Sequence, residues 1–128
     1  METRDPLTHQ IIGLAIEVHR ELGPGLLESA YEECLAYELR QAEIPHLRQH
    51  PLPVRYKGVH LECGYRLDIV LPEKLIIELK TVEALLPIHE AQLLTYLKLS
   101  GIERGLLINF NVPVLKDGIK RMVWTKRN

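Results

Sequence analysis

Three charged side chains sit where apolar strand patterns leave little room for charge. Asp68 interrupts Leu67-Asp68-Ile69-Val70-Leu71, and Glu78 and Lys80 fall at the end of Leu75-Ile76-Ile77-Glu78-Leu79-Lys80. An unpaired charge in such a place costs several kcal/mol, on the order of the whole stability of a small domain. Two carboxylates and a lysine are also what a divalent cation and a hydrolytic water need. Residues two apart on a strand share a face, so Glu78 and Lys80 point one way and Ile77 and Leu79 the other. Whether Asp68 joins them depends on hairpin register. The odd loop Pro72-Glu73-Lys74 pairs Leu71 with Leu75 and sets Asp68 opposite Glu78, whereas a two-residue loop turns Asp68 to the other face. On a shared face the carboxylates repel, and one tends to hold a proton unless a cation lies between them. Oxygen ligands of this kind suit Mg²⁺ or Mn²⁺ rather than zinc. Such an ion lowers the pKa of a bound water and stabilises charge on a phosphate, and Lys80 would orient that water or offset developing charge. A Glu–Lys ion pair on a solvated strand edge explains the same short spacing.

Two further groups have the right chemistry. In His89-Glu90-Ala91-Gln92-Leu93-Leu94-Thr95-Tyr96, the residues His89, Gln92 and Tyr96 share one helical face. Gln92 can hydrogen-bond phosphate or water, and Tyr96 can contact backbone or stack; an amphipathic helix with a polar margin is the plainer account. Glu28 and Tyr31 lie one turn apart, and Glu28 would add a carboxylate. A first-turn glutamate complementing the helix dipole explains Glu28 equally simply.

The elements that must position these residues follow from the pattern. Asp5-Pro6 predicts a helix start, a capping carboxylate before proline at the first helical position, and Ile11, Ile12, Ala15, Ile16, His19 and Leu22 recur at helical spacing. Gly23-Pro24-Gly25 breaks the chain, and a second helix is predicted over 26–41 with Leu27, Ala30, Tyr31, Cys34, Leu35 and Leu39 on its apolar face. Pro45, Pro51 and Pro53 mark a stiff connection. Strands are predicted over 52–57, 59–71 and 75–80, then a helix over 87–99 stopped by Ser100-Gly101, a buried strand over 105–110 and a last strand over 119–124, with a polar tail over 125–128. The order ααβββαββ is that of an α/β or α+β domain with a mixed sheet.

At 128 residues the chain is read as one domain spanning 1–128. Its net charge of −1 argues against a protein that coats nucleic acid through global charge, though a bound cation and a local basic groove do the same work at one site. Cys34 and Cys63, far apart and without CxxC spacing, are read as reduced core residues of a cytoplasmic protein, not zinc ligands. No signal peptide and no apolar run of membrane-spanning length is visible.

Together the motifs resemble the GxxExxY family, a branch of the PD-(D/E)xK nuclease superfamily. The resemblance runs through Val18–Tyr31, which contains Gly25-Leu26-Leu27-Glu28-Ser29-Ala30-Tyr31, then Gly64-Tyr65-Arg66-Leu67-Asp68, Ile77-Glu78-Leu79-Lys80, Pro87–Tyr96 and Gly105–Asn111. It implies a restriction-endonuclease-like αβββαβ core, a mixed central sheet flanked by helices, with an extra N-terminal helix. It further implies that Asp68 and Glu78 are metal ligands, that Glu28 is an added helix carboxylate, and that Lys80 is the catalytic lysine. Gln92 and Tyr96 resemble the QxxxY motif of the RecB-like branch. Leu67, not proline, precedes Asp68.

The expected activity is hydrolysis of nucleic acid, DNA before RNA, by a Mg²⁺- or Mn²⁺-dependent phosphodiesterase using Asp68, Glu78, Lys80, Gln92 and Tyr96. The alternatives are a nuclease-like fold that binds nucleic acid or protein without turnover, and a hydrolase of small phosphoesters. A homodimer would widen the grip of so small a domain. His46 and His50 are read as solvated loop histidines, and His19 as a core histidine bonded to a backbone carbonyl. Arg48, Arg55, Lys57 and Arg66 form either a phosphate-binding edge or a solvated strand face. Lys116, Lys120, Arg121, Lys126 and Arg127 give the C-terminus a basic bias, and Trp124 is read as a core or interface anchor.

Overall fold

The computed structural model describes residues 5–125, so Lys126, Arg127 and most of the predicted tail lie outside the described residues. Helix α1 (Pro6–Leu22) begins where the sequence predicts. The Asp5 carboxylate accepts from the Thr8 N–H at 3.3 Å, satisfying a donor that the first turn leaves free. Helix α2 (Glu28–Gln41) follows the Gly-Pro-Gly elbow and buries Tyr31, Leu35, Ala36 and Leu39. Leu27, expected on its apolar face, precedes the helix as its N-cap and is 77% exposed.

The strands are β1 (Leu47–Pro51), β2 (Val54–Tyr56), β3 (Val59–Leu61), β4 (Arg66–Leu71) and β5 (Leu75–Lys80). Helix α3 (Pro87–Ser100) leads to β6 (Arg104–Asn109), and a 3₁₀ turn over Leu115–Gly118 precedes β7 (Ile119–Val123). Two features depart from the pattern. β1 replaces part of the expected proline-rich connection, and the strand expected over 59–71 is divided into β3 and β4. The division falls at Gly64, whose φ of 82° is open to glycine but disfavoured for other residues.

Five strands form one sheet in the order β1-β4-β5-β6-β7, while β2 and β3 pair separately as a hairpin. Only β5 and β6 run parallel, joined by a crossover through α3; the other neighbours are antiparallel. Period-two alternation gives the sheet two apolar faces. Ile69, Leu71, Leu75, Ile77 and Leu79 pack with Ile11, Ala15, Tyr31, Leu35 and Leu39 of α1 and α2. Val70, Ile76 and Leu107 pack with Leu93 and Leu97 of α3. Three helices around a mixed five-stranded sheet make an α+β fold consistent with the restriction-endonuclease-like arrangement.

Candidate active site

The β4–β5 hairpin takes the register that the odd loop predicts: Leu71 pairs with Leu75, Val70 with Ile76 and Ile69 with Ile77. One step further, where Asp68 would face Glu78, side chains replace the backbone ladder. The Asp68 N–H donates to Glu78 Oε2 at 2.9 Å, and the Leu79 N–H donates to Asp68 Oδ2 at 2.9 Å. Each carboxylate thus satisfies a backbone donor of the opposite strand, which explains how two acids persist at the end of a buried strand pair. Lys80 lies two residues beyond Glu78, half-buried, and takes part in none of the ion pairs among the described residues.

Glu28 reaches this cluster through the elbow. The Tyr31 hydroxyl donates to the Gly23 carbonyl at 2.5 Å and accepts from the Leu26 N–H at 3.1 Å, while its ring stacks on Phe110 at 4.4 Å. Between those anchors Gly25 takes a φ of 101°, which a side chain would strain. The Gly-x-x-Glu-x-x-Tyr spacing therefore has a physical content: glycine makes the turn, tyrosine pins it, and the glutamate between them opens α2 beside the carboxylates.

The electrostatics are those of crowded acids. Glu78 is 6% exposed; burial, then the neighbouring Asp68, push its carboxyl up to about 8, against the Asp68 N–H and Lys80, which favour its charged form. Burial and then Asp68 also raise the Glu28 carboxyl, and the Lys80 ammonium opposes them. Asp68, Glu78, Glu28 and Lys80 therefore share one field. Among the described residues, however, no three His, Cys, Asp or Glu side chains stand in a ready-made metal-binding group.

The α3 residues divide. Burial, then the Glu78 carboxylate, raise the half-buried Tyr96 phenol, so Tyr96 lies within the field of the acids. Gln92 is exposed and lines a cavity of about 390 Å³ with Tyr65, Thr95 and Tyr96; no hydrogen bond ties it to the carboxylates. His89 serves its own helix, its Nδ1 accepting from the Leu86 N–H at 2.9 Å.

Several other expectations change. His50 lies on β1, paired with Leu67, rather than in a loop. Cys34 is half-buried, but Cys63 is exposed and not a core residue. Arg48, Arg55, Lys57 and Arg66 form no common edge. Arg48 is bound to Glu32 and Glu33 of α2 at 3.0 and 2.9 Å, while Arg55 and the Tyr56-Lys57 turn belong to the separate hairpin. His19 does bond a backbone carbonyl, that of Val112 at 2.8 Å, and Trp124 packs against the α3-side core.

Sequence reasoning missed three residues around the acids. Gln49 donates to Glu32 Oε1 at 2.8 Å and to Asp68 Oδ1 at 3.3 Å. Buried Glu32 lies one helical turn after Glu28, and that i, i+4 spacing was its available signal. Asn109, beside Lys80 on β6, accepts from the Val82 N–H and donates to the Val82 carbonyl, fixing the chain just beyond Lys80. An asparagine closing a buried apolar strand was its signal.

No curated protein and no solved structure matched the chain. The profile of the PD-(D/E)XK nuclease superfamily matches residues 5–122, a span that includes the sheet except for the last residue of β7 and all the residues gathered around Asp68 and Glu78. The chain belongs to the PD-(D/E)XK nuclease superfamily.

Proposed function

We propose that this member of the superfamily, of the GxxExxY type, hydrolyses phosphodiester bonds of nucleic acid, DNA before RNA, with Mg²⁺ or Mn²⁺ as cofactor. The observation that carries the reading is the meeting of Asp68 and Glu78 across the open end of β4–β5, with Lys80 beside them and unpaired among the described residues. Nucleases of this superfamily generally use divalent metals. The donor set fits a hard cation: Asp68 and Glu78 offer carboxylate oxygens, and the Glu28 carboxyl lies within their electrostatic field. Burial and then Asp68 raise the Glu78 carboxyl, and a divalent charge would offset both. When bound, such an ion lowers the pKa of a water and offsets charge on the phosphate.

The chain's own residues would then act as follows. Asp68 and Glu78 would hold the cation, their carboxylates oriented by the Leu79 and Asp68 N–H groups. The Lys80 ammonium holds the attacking water or balances charge growing on the phosphoryl oxygens. Tyr96 and Gln92, on the adjoining face of α3, contact the substrate strand beside the scissile phosphate.

Replacing Glu78 by alanine is expected to abolish metal-dependent cleavage of DNA and RNA substrates while the circular-dichroism spectrum is retained; full cleavage by that variant sinks the assignment. A binding module without turnover is the second reading. It is favoured by the lack of a ready-made three-ligand group among the described residues. Calorimetry with Mn²⁺ separates the two, since a module without a metal centre gives no saturable heat.

A further inference from the structure

Among the described residues, four other than glycine adopt a positive φ: Glu43, Gln49, Lys57 and Glu73. Glu43, Lys57 and Glu73 lie in turns, where such a conformation is ordinary. Gln49, with φ 47°, lies in the middle of β1. The left-handed region crowds Cβ against the backbone, so a strand interior keeps such a residue only when something else holds it there.

The strand pairing marks the same place. Arg48 pairs with Ile69 and His50 with Leu67 in unbroken register, yet Gln49 and Asp68, which that register sets opposite each other, form no ladder pair. Asp68 is also where the ladder to β5 gives way to side chains. The alternation of β4 slips at this point too, since Leu67 and Val70 both pack on the α3 side. The sheet is therefore opened at Asp68 along both neighbouring strands.

We propose that Gln49 is a positioning residue for Asp68, held in a left-handed backbone so that its side-chain amide bridges Asp68 and buried Glu32. The proposal rests on the reading of Asp68 as a metal ligand. Both contacts are donated by the amide nitrogen, 2.8 Å to Glu32 Oε1 and 3.3 Å to Asp68 Oδ1, which suits two carboxylate acceptors. Glu32 is itself held by Arg48 Nε at 3.0 Å, so the bridge is anchored on α2. On the other side Asp68 Oδ2 accepts from the Leu79 N–H. Each oxygen of Asp68 thus has one fixed donor and keeps lone-pair capacity for a cation. Partners that orient a ligand in this way typically contribute 10–100-fold to metal affinity.

A residue kept only to hold β1 on the sheet would behave differently from one kept, at the expense of backbone strain, to orient Asp68. Gln49→Gly removes the amide and relieves the strained φ together. Mn²⁺ titration calorimetry and thermal melting of wild type, Gln49→Gly and Gln49→Leu are the tests. The expected result is Mn²⁺ binding weakened about 10–100-fold in both variants, with metal-free Gln49→Gly melting above metal-free Gln49→Leu, because both lose the amide but only glycine relieves the left-handed backbone. Mn²⁺ affinity within twofold of wild type in Gln49→Gly overturns the proposal alone. A metal-free Gln49→Gly that melts below Gln49→Leu also overturns it, by showing that no left-handed strain is held at position 49. Wild-type protein that binds no Mn²⁺ at millimolar concentration overturns the metal-dependent reading and this proposal with it.

Discussion

Glu78→Gln should make the metal-free protein more stable, and increasingly so as pH rises. The Glu78 carboxyl is pushed from 4.5 to about 8, first by burial and then by Asp68. In the native state it keeps its proton across that range, whereas in the unfolded chain it has lost it. The unfolded state therefore binds fewer protons, and stability is full below pH 4.5 and falls as pH rises toward 8. At 1.36 kcal/mol per pKa unit the ceiling is ~5 kcal/mol across the window. With 6% of the residue exposed, solvent screening removes little of it. Glutamine keeps the shape and can still accept from the Asp68 N–H, but it does not titrate. Urea unfolding in EDTA at pH 5, 6.5 and 8 measures the difference between wild type and variant. That difference should move in favour of the variant by several kcal/mol from pH 5 to pH 8. A difference constant within ~0.5 kcal/mol would refute the argument that burial and Asp68 hold a proton on Glu78.

Further outcomes follow from the same geometry. Mn²⁺ binding at pH 6.5 should release about one proton, from Glu78, measured by calorimetry in buffers of different ionisation enthalpy; the number should fall toward one half at pH 8. Tyr31→Phe should cost about 1–3 kcal/mol in urea unfolding, because it leaves the Leu26 N–H and the Gly23 carbonyl at the elbow without their partner. Lys80→Met should retain Mn²⁺ affinity within a few-fold but lose at least ~100-fold in single-turnover cleavage of a DNA substrate, consistent with loss of a charge-stabilising group.

What the sequence revealed and what it hid have physical causes. The register of Asp68 against Glu78 was readable because the parity of the Pro72-Glu73-Lys74 loop decides which face each residue takes. Helices α1 and α3 were readable because their limits carry local signals, Asp5-Pro6 at one start and Ser100-Gly101 at one stop. β1 was not readable. It is an edge strand, exposed along most of its length, with proline at its end, so it needs neither apolar alternation nor a full set of donors. Missing β1 also hid Gln49, whose partners Glu32 and Asp68 lie 17 and 19 residues away in sequence and whose backbone breaks the strand rule that would have oriented it. The pairing of Arg48 with Glu32 and Glu33 is hidden for the same reason. Four basic residues near predicted strands look like one edge until pairing shows that Arg55 and Lys57 belong to a different sheet element from Arg66. Glu28 was legible only through its motif, since the turn that delivers it depends on the Tyr31 hydroxyl reaching back to Gly23.

The central claim is that Asp68 and Glu78 together hold a divalent cation. Anomalous diffraction from crystals of the protein soaked in Mn²⁺ tests it most directly. The account predicts a peak between the Asp68 and Glu78 carboxylates that is lost in Asp68→Ala. A Mn²⁺ peak elsewhere, or none at that position at millimolar concentration, would contradict it.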